Sequence, residues 1–292
     1  MNAMHKIYLT LVMVATIAVS AMAQTTTEEA VAALQTGNVE GAVTIIDKCV
    51  KDPAQNTTWE CWYYKGFIYK ELSKKQTGDA AHKTRVEAFS ALKKAIQLDV
   101  KKENYDQDSL TIKYLAGKFS NEANVLLNAN TYDKSMEYFN YYKQCMNVID
   151  PKNQQVKDRE LLFKAALGSV FVEIYQADSK REDAFKQAIE QYSQILKVDS
   201  TNANANKQIG VNYYNKGVAI INDKKLEDDL VAMDAAQEKA ILCYKQALPY
   251  MLRAYKYGKE NKGVVEGLRN IYQALNEIEL SAKYDAELAN FK

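Results

Sequence analysis

Residues 61–69, CWYYKGFIY, decide the fold, because they fit more than one kind of structure. Six of the nine residues are aromatic or β-branched, which is typical of a β-strand. Trp62, Gly66 and Tyr69, however, are separated by four and three residues, which places them on one face of an α-helix. A strand, a helix and an aromatic box for a ligand are therefore the alternatives, and the rest of the chain must choose between them.

The composition favours the helix. The chain has 292 residues, of which 47% are hydrophobic and 26% charged, as in an ordinary globular protein. Only 11 glycines and 3 prolines are present, too few turn-forming residues for a many-stranded sandwich or barrel. We therefore predict an all-α fold.

The first 23 residues have the layout of a secretory signal peptide. Lys6 precedes an apolar run that is short for a membrane span, and Ala21 and Ala23 form an A-x-A cleavage site. Gln24, rather than cysteine, follows the site, which argues against a lipoprotein. We expect an exported chain, in the periplasm of a Gram-negative bacterium or secreted, with no membrane span after cleavage. An uncleaved N-terminal anchor is the alternative.

The charge of the exported chain narrows the class of partner. Cleavage removes Lys6 and no acidic residue, so 37 basic (38 − 1) and 37 acidic side chains remain. A neutral chain without a basic stripe argues against binding to nucleic acid or to anionic membrane. A protein or peptide partner in the cell envelope is expected instead.

Apolar residues recur at helical spacing in pairs of segments that turn signals separate. The predicted pairs are 25–35 with 39–50, 59–72 with 85–98, 110–127 with 132–149, 155–176 with 183–198, 204–223 with a long helix ending near 257, and 264–275 with 279–291. One such hairpin cannot bury its apolar face alone, whereas stacked hairpins share a continuous core. We therefore predict a solenoid of about six helical hairpins.

A residue pattern recurs within the hairpins. A small residue stands between larger ones in the first helix, most clearly in Trp62, Gly66 and Tyr69. The other residues of this predicted helix–helix seam are Ala123, Gly168, Gly210 and Tyr213. The pattern resembles the tetratricopeptide repeat (TPR) family, which implies a right-handed α-solenoid, here one domain over residues 24–292. A coiled coil is disfavoured, because no heptad continues past a turn signal.

Several hairpins are longer than a regular TPR, because the seam residues of their two helices stand further apart in the sequence. Residues 74–84 contain glycine and little apolar periodicity, so we predict a loop there. Residues 232–257 keep their periodicity and are predicted to form one long helix, bent at Pro249.

The resemblance also implies a ligand-binding groove lined by the first helices. The residues that it assigns to this predicted groove are Tyr63, Phe67, Lys70, Asn124, Asn128, Glu173, Lys207, Tyr214, Asn215 and Asn270. Aromatic and amide side chains suit an extended peptide or a glycan strand. Val211 stands where the family's clamp for a C-terminal carboxylate has asparagine, which disfavours a chaperone-tail receptor. The alternative is that these residues are merely solvated or packed against the next hairpin.

No pattern in the chain indicates catalysis. Of the two histidines, His5 lies in the signal peptide, and His82 lies in the predicted loop, where solvation is expected. The sequence contains no P-loop, no G-x-G-x-x-G and no H-E-x-x-H. We therefore predict a protein that is not an enzyme and that binds no cofactor and no metal ion.

Two of the four cysteines stand where they can pair. Cys49 and Cys61 are equally far from the middle of the turn between two antiparallel helices. A disulfide can form there, although facing helices often hold the two Cα atoms too far apart. Cys145 and Cys243 are predicted to be buried thiols.

Two functions remain. The first is an exported helical-repeat scaffold that binds a protein or peptide through the predicted groove. The second is a glycan-binding accessory protein of an envelope uptake system. Against the second stand the missing lipid-anchor cysteine and the short chain.

Overall fold

A computed structural model of the chain describes residues 24–223, 230–258 and 261–291, apart from the side chains of Gln24 and Thr25. The predicted signal peptide lies outside these residues. The described residues form twelve α-helices and no β-strand. The helices are α1 (Gln24–Gln35), α2 (Val39–Cys49), α3 (Trp59–Lys74), α4 (Gly78–Leu98), α5 (Tyr105–Val125), α6 (Tyr132–Ile149), α7 (Gln154–Ala177), α8 (Glu182–Val198), α9 (Ala203–Ile221), α10 (Leu230–Tyr257), α11 (Lys262–Ala274) and α12 (Ile278–Leu288).

The prediction of an all-α fold is confirmed. The stretch CWYYKGFIY lies inside α3, whose first turn is capped by the Thr58 side chain, which accepts a hydrogen bond from the backbone N–H of Cys61. The strand propensity of the aromatic residues is therefore overridden by the helical period of the buried positions.

The helices pair as six hairpins of the TPR type. Packing contacts join α1 to α2, α3 to α4, α7 to α8, α9 to α10 and α11 to α12. Two hydrogen bonds join α5 to α6: the Ser135 hydroxyl donates to the carbonyl of Ala123 at 2.7 Å, and the Tyr105 hydroxyl donates to that of Ile149 at 2.8 Å. The prediction of about six hairpins is confirmed, and the fold of the chain is TPR-like.

The contacts divide the chain into two compact units. Unit 1 contains the described residues up to Asn121 together with Phe139–Lys152, and unit 2 contains Glu122–Tyr138 and the described residues from Asn153 onward. Within unit 1, α3 packs on both α1 and α2. Within unit 2, α9 packs on α8, and α11 packs on α9 and α10. In each unit, therefore, a hairpin covers the apolar face of its neighbour, as repeat stacking requires. That residues 24–292 form one domain stays a prediction.

Glycines in the first helices permit close approach of the second helices. A Cβ atom placed on Gly66 would lie 2.5 Å from Cγ of Leu92, which is far inside van der Waals contact. The same relation recurs in unit 2, where Gly168 faces Tyr192 and Gly210 faces Met251. The large side chain of the second helix fills the space that the missing side chain leaves.

Other residues predicted for the seam make different contacts. The buried Tyr69 donates its hydroxyl to the carboxylate of Asp47 on α2, at 2.8 Å. Trp62 donates its indole N–H to the carbonyl of Asn56, in the connection before α3, at 2.7 Å. These two residues therefore also tie α3 to the preceding hairpin.

The prediction of a loop over residues 74–84 is wrong. Helix α3 ends at Lys74 and α4 begins at Gly78, so the connection is only three residues long, 75–77. The buried side of the first turns of α4 contains polar residues, His82, Thr84 and Arg85, beside Ala81. Because those polar residues occupy core positions, the segment lacks the apolar periodicity by which a helix is recognised.

His82 is correspondingly buried rather than solvated. Its ring lies edge-on to those of Phe119 and Tyr141, with centroid distances of 5.6 and 5.4 Å. The prediction of a solvated loop histidine is therefore wrong, and His82 is part of the core of unit 1.

The long helix of the fifth hairpin is present as α10, with Pro249 inside it. Helix α10 packs closely on α9 at two glycines of α9, where Gly210 faces Met251 and Gly217 faces Tyr244. The prediction of a single helix over residues 232–257 is therefore confirmed.

Cys49 and Cys61 form a disulfide in unit 1, with their Cα atoms 6.3 Å apart. Both residues are fully buried, one at the end of α2 and the other in the first turn of α3. Cys145 and Cys243 are buried free thiols.

Candidate functional site

Aromatic rings line one side of α3 in unit 1. Trp59 stacks on Tyr63 with a centroid distance of 4.8 Å, and Tyr63 lies 5.2 Å from Tyr64 and 6.1 Å from Phe67. All four are half-buried, as is Tyr114 of α5 nearby. We call Trp59, Tyr63, Tyr64, Phe67 and Tyr114 the aromatic cluster. Burial raises the pKa of the Tyr63 phenol to about 12.

Lysine ammonium groups surround Tyr114. Lys70 Nζ lies 3.6 Å from the centroid of Phe67 and 5.7 Å from that of Tyr114, and Lys74 and Lys118 approach Tyr114 to 5.3 and 5.6 Å. Such cation–π contacts hold the ammonium groups against the ring faces. The cluster therefore combines apolar rings with positive charge.

Lys70 itself is largely buried and pairs with Glu71 at 2.9 Å. Burial lowers the pKa of its ammonium group, because the charged form is poorly solvated there. Its Nζ also lies 5.7 Å from the ring of Tyr114 on the next hairpin, and that Lys70 binds a ligand stays a prediction.

A carboxylate lies beneath the cluster. Asp108 of α5 is fully buried, and the indole N–H of Trp59 donates to its Oδ2 at 2.8 Å. Its Oδ1 has no hydrogen-bond partner among the described residues. Burial raises the pKa of Asp108 from 3.8 to about 6, and the Trp59 hydrogen bond opposes this only in part.

We expect the free energy of unfolding to fall as the pH rises from about 4 to about 6, because of Asp108. Across that window the unfolded chain has released the proton, whereas the folded chain still binds it, so the raised pKa destabilises the fold at higher pH. Across this window the free energy of unfolding should fall by about 2 kcal/mol, at about 1.4 kcal/mol per pKa unit and with a reduction for solvent screening. Asp108→Asn should remove this pH dependence. Urea unfolding at pH 4.5 and 7.5 measures the difference.

Asp106→Asn is the matched control, since it removes an exposed carboxylate from the same helical turn. This control should retain the slope due to Asp108. An Asp108→Asn variant with the pH dependence of the wild type would show that the buried carboxyl does not titrate in this window.

Sequence reasoning missed Asp108 and three of the five aromatic residues of the cluster, Trp59, Tyr64 and Tyr114. Asp108 stands in the first turn of a helix, where an acidic residue is ordinarily a solvated partner of the helix dipole. Nothing in the sequence distinguishes it from such a residue. Trp59, in contrast, precedes Tyr63 by four residues, so the spacing of Trp59, Tyr63 and Phe67 could have revealed the stacked rings. Tyr114 comes from another hairpin.

The groove residues predicted in unit 2 do not form a comparable cluster. Asn128 donates to the Thr131 hydroxyl at 2.7 Å and accepts from the backbone N–H of Asn130, so its side chain stabilises the turn between α5 and α6. Asn124 and Glu173 are exposed.

The remaining predicted residues lie on α9 and α11. Tyr214 is half-buried, with its ring 5.5 Å from that of Tyr244 on α10. Lys207 lines a small cleft of about 190 Å³. Asn215 is exposed and Asn270 is half-buried. That these residues bind a ligand stays a prediction.

The described residues contain no group of three or more histidine, cysteine or acidic side chains arranged to hold a metal ion. No helix among them is both long and apolar enough to span a bilayer.

Comparison with known proteins gives weak similarities. No protein-family model and no curated protein matches the chain. Among solved structures, it is similar to a TPR repeats protein from Bacteroides fragilis NCTC 9343, with 16% identity over 88% of this chain and 99% of the other, at a TM-score of 0.47.

Two further solved structures resemble the chain still more weakly. PilW, a type IV pilus biogenesis factor, is 15% identical over 94% of this chain and 95% of its own, at a TM-score of 0.35. Human IFIT1 is 16% identical over 92% of this chain and 51% of its own, at a TM-score of 0.32. These values are too low for any conclusion about what this chain does.

Proposed function

We propose that this protein is an exported helical-repeat scaffold whose aromatic cluster binds a protein or peptide partner in the cell envelope. The observation that carries the proposal is the set of half-buried rings on α3 and α5. Aromatic residues with one side packed and one side open are typical of the residues that dominate binding energy at interfaces.

The rings are held in place before any partner arrives. Trp59 is fixed by its hydrogen bond to Asp108 and by stacking on Tyr63. Tyr63 is fixed in turn by Phe67. Binding of a partner here therefore costs little side-chain entropy in this chain, which favours affinity.

The lysines indicate the chemistry of the partner. Lys70 and Lys74 both pair with Glu71, at 2.9 and 2.8 Å, whereas Lys118 is exposed beside Tyr114. An apolar side chain that contacts the rings, followed by an acidic residue that reaches Lys118, fits this arrangement. The partner segment that fits best is therefore extended, with an apolar anchor and an acidic flank.

The disulfide supports export. Disulfides form in oxidising compartments such as the bacterial periplasm, and are rare in the cytosol. Cys49 and Cys61 therefore agree with the predicted signal peptide, residues 1–23.

A glycan ligand is the second candidate, because stacked aromatic rings also bind sugars. A sugar site needs polar groups that can reach the hydroxyls of the ligand as well as an open ring face. Asp108 is the carboxylate next to Trp59, but it is fully buried and cannot reach a ligand on the surface. The geometry therefore favours a peptide over a glycan.

The experiment places a photo-crosslinking amino acid at Tyr64, a half-buried ring of the aromatic cluster on α3, and at Tyr257 as the control. Tyr257 is an exposed tyrosine at the end of α10 and is not part of the cluster. We expect a saturable crosslink to a protein of the cell envelope from position 64 and none from position 257. Tyr64→Ala should weaken binding of the captured partner by roughly ten- to thirtyfold, as for an interface hot spot.

Three outcomes separate the candidates. Equal crosslinking from both positions would contradict a site at the cluster. Binding of the purified protein to members of a glycan array, lost in Tyr64→Ala, would favour the glycan alternative. A partner captured from position 64 whose affinity Tyr64→Ala leaves unchanged would place the interface elsewhere.

A further inference from the structure

A polar cleft in unit 2 is lined by none of the ten predicted groove residues. It has a volume of about 400 Å³ and is lined by Ser193, Leu196, Lys197 and Ser200 on one side and by Tyr250 and Arg253 of α10 on the other. Most of its wall comes from α8 and α10, the second helices of their hairpins, whereas the predicted groove uses first helices.

The guanidinium of Arg253 is fixed in this cleft from beneath. Its Nε donates to Oδ1 of Asn206 at 2.9 Å. Asn206 is fully buried, and its amide nitrogen donates to the carbonyls of Ser200 and Asn202 at 3.1 and 3.0 Å. With both donor hydrogens used by the backbone, the amide can turn only its oxygen to Arg253.

Tyr250 supports the guanidinium from the side. The central carbon of the guanidinium lies 4.6 Å from the centroid of the Tyr250 ring. Tyr250 packs against the buried core formed by Tyr192, Ile195 and Ile209. The ring of Tyr250 therefore sets the plane of the guanidinium. Among the described residues no group bonds to its two terminal nitrogens, so a ligand can reach them.

The positive charge of Arg253 is not compensated within the described residues, where no carboxylate lies within ion-pair distance of it. Lys197, the other cation of the cleft, pairs with Glu190 at 3.5 Å. The cleft therefore presents about one net positive charge, which suits a monoanion better than a dianion.

We propose that this cleft binds a carboxylate group of a protein or peptide ligand. The planar fork of a guanidinium matches the two oxygens of a carboxylate, and both hydrogen bonds are charge-assisted. The hydroxyls of Ser193 and Ser200 line the same space and can donate to the ligand as well. The site shares no residue with the aromatic cluster, so it stands whether or not that cluster binds a partner.

The test titrates the purified protein with four probes and follows the arginine Nε–H resonances by NMR. The probes are N-acetyl-trialanine with a free carboxylate, the same peptide with a C-terminal amide, an amidated peptide with glutamate at its centre, and inorganic phosphate. We expect the resonance of Arg253, identified by its loss in Arg253→Lys, to shift with the free carboxylate and not with the neutral amide. A shift of the same resonance with the glutamate peptide would show that the cleft accepts a side-chain carboxylate as well as a C-terminal one.

Three variants complete the test. Arg253→Gln should weaken carboxylate binding by about tenfold or more, as measured from the backbone resonances around Ser193, because two charge-assisted hydrogen bonds are lost. Arg253→Lys keeps the charge but not the planar fork, so it should bind at least several-fold more weakly than the wild type. Lys245→Gln removes one exposed cation from the same helix and should change the dissociation constant by less than about twofold.

Either of two results with the peptide probes would overturn the proposal. One is equal binding of the free and the amidated peptide by the wild type. The other is binding by Arg253→Gln that matches Lys245→Gln, in protein shown by circular dichroism to be folded. Binding of phosphate alone, with no response to either carboxylate probe, would also reject a carboxylate site.

Discussion

Gly66→Ala is expected to lower the free energy of unfolding by about 2 kcal/mol, within the range for overpacked cores. A Cβ at this position would lie 2.5 Å from Cγ of Leu92, 2.9 Å from its Cδ2 and 3.0 Å from the carbonyl oxygen of Ala88. Leu92 is fully buried, and a close-packed core leaves little room for its side chain to shift, while Ala88 presents backbone. The two helices of this hairpin must therefore separate, which also loosens the core contacts beside them. Urea unfolding followed by circular dichroism measures the loss.

Gly117→Ala is the matched control for this substitution. Gly117 also lies inside a helix of unit 1, but a Cβ placed there meets no atom within 4 Å. Both substitutions gain the higher helix propensity of alanine, worth about 0.5–1 kcal/mol, so Gly117→Ala should stabilise the protein by about that amount. The difference between the two variants isolates the cost of the close approach. Equal effects of the two would show that the α3–α4 contact does not require a glycine.

The helices of the fold could be predicted because their buried positions repeat with a helical period. The period places Trp62, Gly66 and Tyr69 in one helix despite the strand propensity of their neighbours, and α6 was predicted with both its boundaries correct. This reasoning fails where core positions are polar. His82, Thr84 and Arg85 are buried in the first turns of α4, and there the sequence pattern predicted a loop.

The candidate sites were harder to predict from the sequence, because they depend on contacts between helices that are far apart in the chain. Asp108 lies 49 residues from Trp59, and Asn206 lies 47 residues from Arg253. No spacing within one helix reveals such pairs. The predicted groove set did find Tyr63 and Phe67, whose position on α3 follows from the helical period alone. It also included Lys70, whose burial beside Tyr114 of the next hairpin depends on the packing of the finished fold.

Replacing both cysteines of the disulfide, in Cys49→Ala/Cys61→Ala, is expected to lower the free energy of unfolding by about 3 kcal/mol. The two residues are 12 positions apart, and the entropy that a cross-link of this length removes from the unfolded chain accounts for about that amount at 25 °C. The bond joins the end of α2 to the start of α3, so it holds the first hairpin against the second. Urea unfolding of the oxidised wild type and of the double variant measures the difference.

Reductant supplies the control for this prediction. Dithiothreitol should destabilise the wild type to about the level of the double variant, and should leave the double variant unchanged, since Cys145 and Cys243 are free thiols. Cys243→Ala should keep the full sensitivity of the wild type to reductant. A thiol titration of the unfolded, unreduced wild type should find the two free cysteines and not four. If reductant destabilised the double variant as strongly as the wild type, the stabilisation would have to come from something other than this bond.

The bond connects the first two hairpins through the turn that leads into α3. Its loss should therefore also loosen the helix that carries the aromatic cluster. Partner binding at Tyr64 should then weaken in reducing conditions.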